Sequence, residues 1–259
     1  MNRLKDVNIF GWSGFALVLL SWELGARGAP AYRLYLPPIS EVLAALGRVL
    51  FHGPAAGHLL VTLERFAAGY LIAAALGVSL GVALGYFPSW HRLFGTVIEF
   101  LRPMPSVAII PVAILLLGIG DAMIVAVTAY ASVWSILVNT IDGVRNIETT
   151  LVATGRTFGL SLRAILWRII LPAASPYIVT GLRIALSIAL ILVTTAEMVA
   201  GSKGLGFFIL DEERSMNSRN MYAGIILVAA FGYALNRLFL ALERRVMRWR
   251  HGLMAREIV

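Results

Sequence analysis

Apolar residues fill six long stretches of this chain, at 9–26, 59–87, 96–117, 122–141, 177–200 and 222–242. Each is close to the about 20 residues that a helix needs to cross the hydrocarbon of a bilayer. Polar, Gly- or Pro-rich segments separate them at 30–57, 88–95, 118–121, 142–176 and 201–220. The pattern predicts an all-α, polytopic membrane protein with six transmembrane helices and no additional soluble domain.

Finer periodicities fall inside this frame. After Pro37 and Pro38, the residues Val42, Leu43, Leu46, Val49 and Leu50 recur at helical spacing. They predict a short amphipathic helix anchored at the outer interface, with Ser40 as its N-cap. In the second run Gly77, Gly81 and Gly85 share one helix face, where a second backbone can approach closely; tight helix packing is the favoured reading, dimer contact the alternative. The third run opens Leu101-Arg102-Pro103-Met104-Pro105 and contains Pro111, so its first turns cannot be regular helix. Such backbone suits either a pathway wall or a simple kink.

Composition narrows the class. Apolar residues make up 59% of the chain and charged residues 14%, too oily for a soluble domain. The net charge of +8 collects at span ends, so membrane topology accounts for it without nucleic acid. With the N-terminus inside, Arg3, Lys5, Arg92, Arg102, Arg145, Arg156, Arg163, Arg168, Arg244, Arg245, Arg248, Arg250 and Arg256 are cytoplasmic. Only Arg27, Arg33, Arg48, Lys203, Arg214 and Arg219 fall outside. Both termini are expected in the cytoplasm. Trp22 and Glu23 interrupt the first run, which argues against a cleaved signal peptide. The chain has no Cys, and its four His residues lack ligand spacing, so neither thiol chemistry nor a metal site is expected. Without a facing His, Ser13 in Gly11-Trp12-Ser13-Gly14 has no base for intramembrane proteolysis. No phosphate loop is present, so uphill transport draws its energy from a partner or an ion gradient.

Charged residues inside the runs are the candidates for function. Glu197 is either a pathway or gate residue, or a carboxylate near the outer interface satisfied by Lys203 or by backbone donors. Arg65 and Arg183, near span starts, are expected to snorkel or to pair locally, Arg65 with Glu64.

The segment 151–172, LVATGRTFGLSLRAILWRIILP, stands apart, because Arg156, Arg163 and Arg168 recur on a helical stretch between two spans. It resembles the cytoplasmic loop of binding-protein-dependent ABC importer permeases, E-A-A, three residues, G, nine residues, I-x-L-P. Gly159, Ile169, Leu171 and Pro172 keep that spacing, while Ala153, Thr154 and Gly155 replace E-A-A. Further segments resemble the nitrate, sulfonate, taurine and bicarbonate branch, among them Leu36 to Val42, Leu101 to Pro105, Leu117 to Asp121, Gly181-Leu182-Arg183, Ala196-Glu197-Met198 and Gly204-Leu205-Gly206.

The resemblance implies the MetI-like fold of type I importer permeases in the inner membrane. The first span and interfacial helix occupy 1–57, a five-span core with a coupling loop near 143–175 occupies 58–247, and a cytoplasmic tail occupies 248–259. It also implies a non-enzymatic transport subunit without a cofactor, dimerising with a second copy of itself, with two cytoplasmic ATP-binding subunits and an external solute-binding protein. Ala153, Thr154, Gly155, Arg156, Gly159, Leu171 and Pro172 form the expected coupling loop. A helix over 151–162 would dock, Gly159 would allow close approach, and Pro172 would restart the next span. Met104, Arg183, Glu197 and Met198 are the expected pathway residues. An ion-coupled secondary transporter is the alternative, one that inverted repeats would betray.

Overall fold

A computed structural model describes residues 9–28 and 33–247. The terminal segments 1–8 and 248–259, including the tail and Arg3, Lys5, Arg248, Arg250 and Arg256, lie outside the described residues. Among the described residues eleven α-helices form: α1 (Ile9–Gly28), α2 (Ile39–Phe51), α3 (Ala55–Tyr86), α4 (Pro88–Leu101), α5 (Ile110–Leu117), α6 (Asp121–Arg145), α7 (Thr149–Thr157), α8 (Leu162–Ile165), α9 (Leu171–Ala200), α10 (Leu205–Arg214) and α11 (Ser218–Val246). A 3-10 turn at Ser106–Ile109 leads into α5, and a π turn at Leu166–Ile170 joins α8 to α9.

The centre of the bundle is α6, gripped by α3 on one side and α9 on the other. Gly69, Gly77, Gly81 and Gly85 of α3 face Thr128, Ile136, Thr140 and Val144 of α6 at a constant offset of 59 residues. A Cβ added at Gly81 would stand 2.5 Å from Cβ of Thr140, and one at Gly77 2.7 Å from Cβ of Ile136. The glycine stripe is therefore an intrachain packing face. Constant offset also means that α3 and α6 run parallel, so the chain between them crosses the bundle once. On the other side Gly143 meets Tyr177, and Gly181 meets Asn139 and Ser135, in antiparallel order. Gly81→Leu should cost about 3 kcal/mol, since overpacking here forces two backbones apart; a detergent melting curve would show the loss, and Gly57→Ala, with open space around it, should melt like the parent.

Among the described residues four helical stretches are long and apolar enough to span a membrane: Ala55–Tyr86, Asp121–Arg145, Leu162–Ala200 and Ser218–Arg245. The return crossing between α3 and α6 is made by Pro88–Leu101 and Ser106–Leu117, bent by 92°. Two sequence expectations change here. The third run is not one continuous helix, because Pro103 and Pro105 lack the N–H groups that would carry a helix through the bend. The 88–95 connector is instead the start of α4, with Pro88 in its first turn, where a missing N–H costs nothing. Six transmembrane helices are compatible with this layout, with α1 as the sixth.

The 201–220 connector likewise contains a helix, α10. It joins α2 and the first turns of α11 in one apolar cluster around Val42, Val49, Leu205, Phe208, Ala223 and Leu227. So α2 packs on protein through its buried face and is more than an interfacial anchor. Its N-cap position is Pro38, not Ser40. Glu23 of α1 takes the capping role across the chain, accepting from Ser40 N–H at 3.1 Å and from the Ser40 hydroxyl at 2.9 Å.

Candidate functional site

Two polar constructions stand at opposite ends of the three-helix core. At the end where α6 finishes, α7 projects as a short helix and closes with a Gly cap. Gly159 N–H donates to Arg156 O at 2.9 Å and Leu160 N–H to Gly155 O at 3.1 Å, the paired bonds of a Schellman motif. Gly159 sits at φ +72 with open space around it, so its glycine is needed for the left-handed turn and not for packing within the chain. Close approach belongs to Gly155, which is buried with Cδ1 of Ile169 where a side chain would begin.

The expected single helix over 151–162 is thus two pieces, α7 and the start of a long rod. Ser161 caps α8 by accepting from Ala164 N–H at 3.3 Å, and the helix then runs through Pro172 to Ala200 without stopping. Pro172 does not restart the span. The π turn before it, in which Leu171 N–H donates to Leu166 O, widens the helix where the proline lacks its own N–H. One face of α7, carrying Thr149, Val152, Ala153 and Arg156, turns toward Gly85, Tyr86 and Val144 at the span ends. The other presents Leu151, Thr154 and Phe158 outward, with Phe158 81% exposed. Leu151 and Phe158 carry no mark in the sequence, because apolar residues are unremarkable in so apolar a chain.

At the opposite end Glu197 is fully buried and its carboxylate is saturated. It accepts from the Thr62 hydroxyl at 2.9 and 3.0 Å, from Gly206 N–H at 3.0 Å and from Arg65 Nη1 at 3.0 Å. The same guanidinium donates to Lys203 O at 2.7 Å and to Asp121 at 2.5 and 2.9 Å. Thr62 also accepts from Leu205 N–H at 2.8 Å, and His58 Nδ1 from Gly204 N–H at 3.0 Å. The network ties the first turns of α3 and α6 to the last turn of α9 and the loop into α10. Arg65 therefore does not pair with Glu64; its partners lie 56 and 132 residues away. Lys203 contributes a carbonyl and no ammonium contact.

Residues 73–248 match the family described as binding-protein-dependent transport system inner membrane component. The chain belongs to that family. It is 27% identical to the putative aliphatic sulfonates transport permease protein SsuC of Bacillus subtilis over 92% of this chain and 86% of that one. It is 33% identical to the bicarbonate transport system permease protein CmpB of Synechococcus elongatus over 73% of this chain and 68% of that one. An inward-facing structure of the MetNI methionine ABC transporter shares the fold, with a TM-score of 0.62 and 19% identity over 75% of this chain and 94% of that one.

This permease is the membrane-spanning transport subunit of an ABC importer, not an enzyme, and its family works with ATP-binding subunits and a binding protein. Its expected pathway residues do not gather at one point. Met104 is half-buried at the bend between α4 and α5, Arg183 is exposed on α9, and Met198 reaches the surface beside buried Glu197. Arg183 and Glu197 are about four turns apart on the same helix. Beside the bend a cavity of about 540 Å³ opens between α4 and α6, lined by His91, Glu99, Arg102, Pro103, Val138 and Asp142.

Proposed function

We propose that this permease is one half of a homodimer with both termini in the cytoplasm, and that it carries a small oxyanion of the nitrate, sulfonate, taurine or bicarbonate kind. The α7 end is cytoplasmic in this reading, and the outward face of α7 seats in a groove of the ATP-binding subunit. Ala153, Thr154, Gly155, Arg156, Gly159, Leu171 and Pro172 build the lever: α7 supplies the contact, the Gly159 cap fixes its angle, and Gly155 against Ile169 presses it onto the rod that becomes α9. The solute passes Met104, Arg183 and Met198 along the dimer axis, and Glu197 shapes the outer end of that path through the residues it holds.

The observation that carries the reading is the continuity of Leu162–Ala200 with α7 locked against its base. A displacement of α7 by closing ATP-binding subunits is transmitted to the far end of the bundle as a rigid-body movement. The relatives' names, aliphatic sulfonates and bicarbonate, support an anionic solute. The test is uptake of radiolabelled sulfonate and bicarbonate into proteoliposomes that hold the permease, its ATP-binding subunit and the binding protein. Uptake should require all three and ATP. Uptake driven by an ion gradient without ATP would replace this reading with a secondary transporter.

A further inference from the structure

Charge pairing among the described residues is one-sided. Among the described residues, the four ion pairs are Arg27–Glu23, Arg65–Asp121, Arg65–Glu197 and Arg219–Glu41, all at the Glu197 end. At the α7 end the described arginines are exposed and meet no carboxylate among the described residues. Arg156 Nη2 donates to the Tyr86 hydroxyl at 3.0 Å, and Arg145 Nη1 lies 2.5 Å from His91 Nε2. These two cations converge on a cavity of about 590 Å³ between the inner face of α7 and the ends of α3 and α6, whose remaining wall includes Val144, Thr149 and Val152. It combines two fixed positive charges, two hydroxyls and an apolar floor.

The depth of this cavity is marked independently. Tyr86, Phe87, Trp90 and Phe94 form a chain of ring contacts at 5.0, 6.1 and 6.5 Å beside it, and the last three rings are exposed. Of these rings Trp90, exposed, and Tyr86, half-buried, have a polar edge, and Trp and Tyr collect where headgroups meet hydrocarbon. Cationic pockets between span ends at that depth hold anionic lipid headgroups, with the acyl chains continuing along apolar span surface. A small soluble anion would use the arginines and hydroxyls but leave the apolar floor unmatched.

We infer that Arg145, Arg156, Tyr86 and Thr149 form a binding site for the phosphate of an anionic phospholipid, seated between the coupling helix and the span ends. The inner face of α7 then rests on lipid while its outer face remains free for a protein partner. Occupancy would fix Arg156, and with it the angle of α7, so that membrane composition bears directly on the coupling lever. The lipid site uses only this chain and the bilayer, while its effect on the coupling lever rests on the importer reading proposed above.

Native mass spectrometry of the full chain, released from detergent with equal amounts of phosphatidylglycerol and phosphatidylcholine, tests it. Phosphatidylglycerol adducts should dominate, and Arg145→Gln and Arg156→Gln should each lower them about fivefold, about 1 kcal/mol per cation. Arg156→Lys should retain most of the binding because a phosphate accepts a point charge, and Arg219→Gln, at the other end, should change nothing. Equal adducts of the two lipids, or identical spectra for the parent and the Arg145→Gln, Arg156→Gln double variant, would overturn the assignment. Displacement of the lipid by millimolar inorganic phosphate would make it a soluble-anion site. Loss of the lipid adducts on adding the ATP-binding subunit would assign the cavity to acidic side chains of that partner.

Discussion

Glu197→Ala should cost about 3 to 5 kcal/mol of stability, the penalty for removing one partner of a buried ion pair. The loss is large because the carboxylate serves three donors at once. Its removal strands the Thr62 hydroxyl and Gly206 N–H and leaves Arg65, whose side chain is only 7% exposed, to balance its charge against Asp121 alone. Asp121 is 77% exposed, so Asp121→Asn should cost under about 1 kcal/mol despite the short contact. Replacing both central charges, Arg65→Met with Glu197→Leu, should recover much of the single-variant loss, because an apolar pair needs no compensation. Melting temperature and yield in detergent measure all four proteins. If Glu197→Ala melts like the parent while solute uptake disappears, Glu197 belongs to the transport path itself and not to the scaffold.

That network explains why Glu197 stood out in the sequence while its partner did not. A carboxylate in an apolar run is conspicuous, but nothing local to Arg65 names an acid 132 residues away. The neighbouring Glu64 offered the shorter-range pairing, and the fold overrode it by placing the first turns of α3 beside the last turn of α9. The glycine stripe was legible for the opposite reason: Gly77, Gly81 and Gly85 encode a face by spacing alone, and α6 fills it. The spans were legible wherever the run was continuous. They were not at the third run, where the 92° break between α4 and α5 depends on which side of Pro103 and Pro105 the helix resumes. The 151–172 segment was marked in the sequence by Gly159 and Leu171-Pro172, yet its two-faced geometry was not, because Leu162–Ala200 continues through a proline by means of a π turn that leaves no mark in hydropathy.

Phe158→Asp should abolish ATP-dependent uptake while leaving the permease folded. Phe158 projects from the cap of α7 with 81% of its surface free, and no described residue packs over it, so an aspartate there disturbs nothing within the chain. In a groove of the ATP-binding subunit the same ring would bury its apolar surface, worth about 2 kcal/mol, or roughly a thirtyfold change in affinity; a buried, unpaired carboxylate adds a further penalty. Gly159→Ala acts by a different route. At φ +72 a Cβ costs about 1 to 2 kcal/mol, so α7 would lose its cap and its angle, whereas Gly159→Asn, which tolerates the left-handed turn, should keep most activity. Copurification with the ATP-binding subunit and uptake in proteoliposomes separate the two effects: Phe158→Asp should lose binding, and Gly159→Ala should weaken coupling more than binding. Unchanged copurification and uptake for Phe158→Asp would move the docking contact off the outer face of α7.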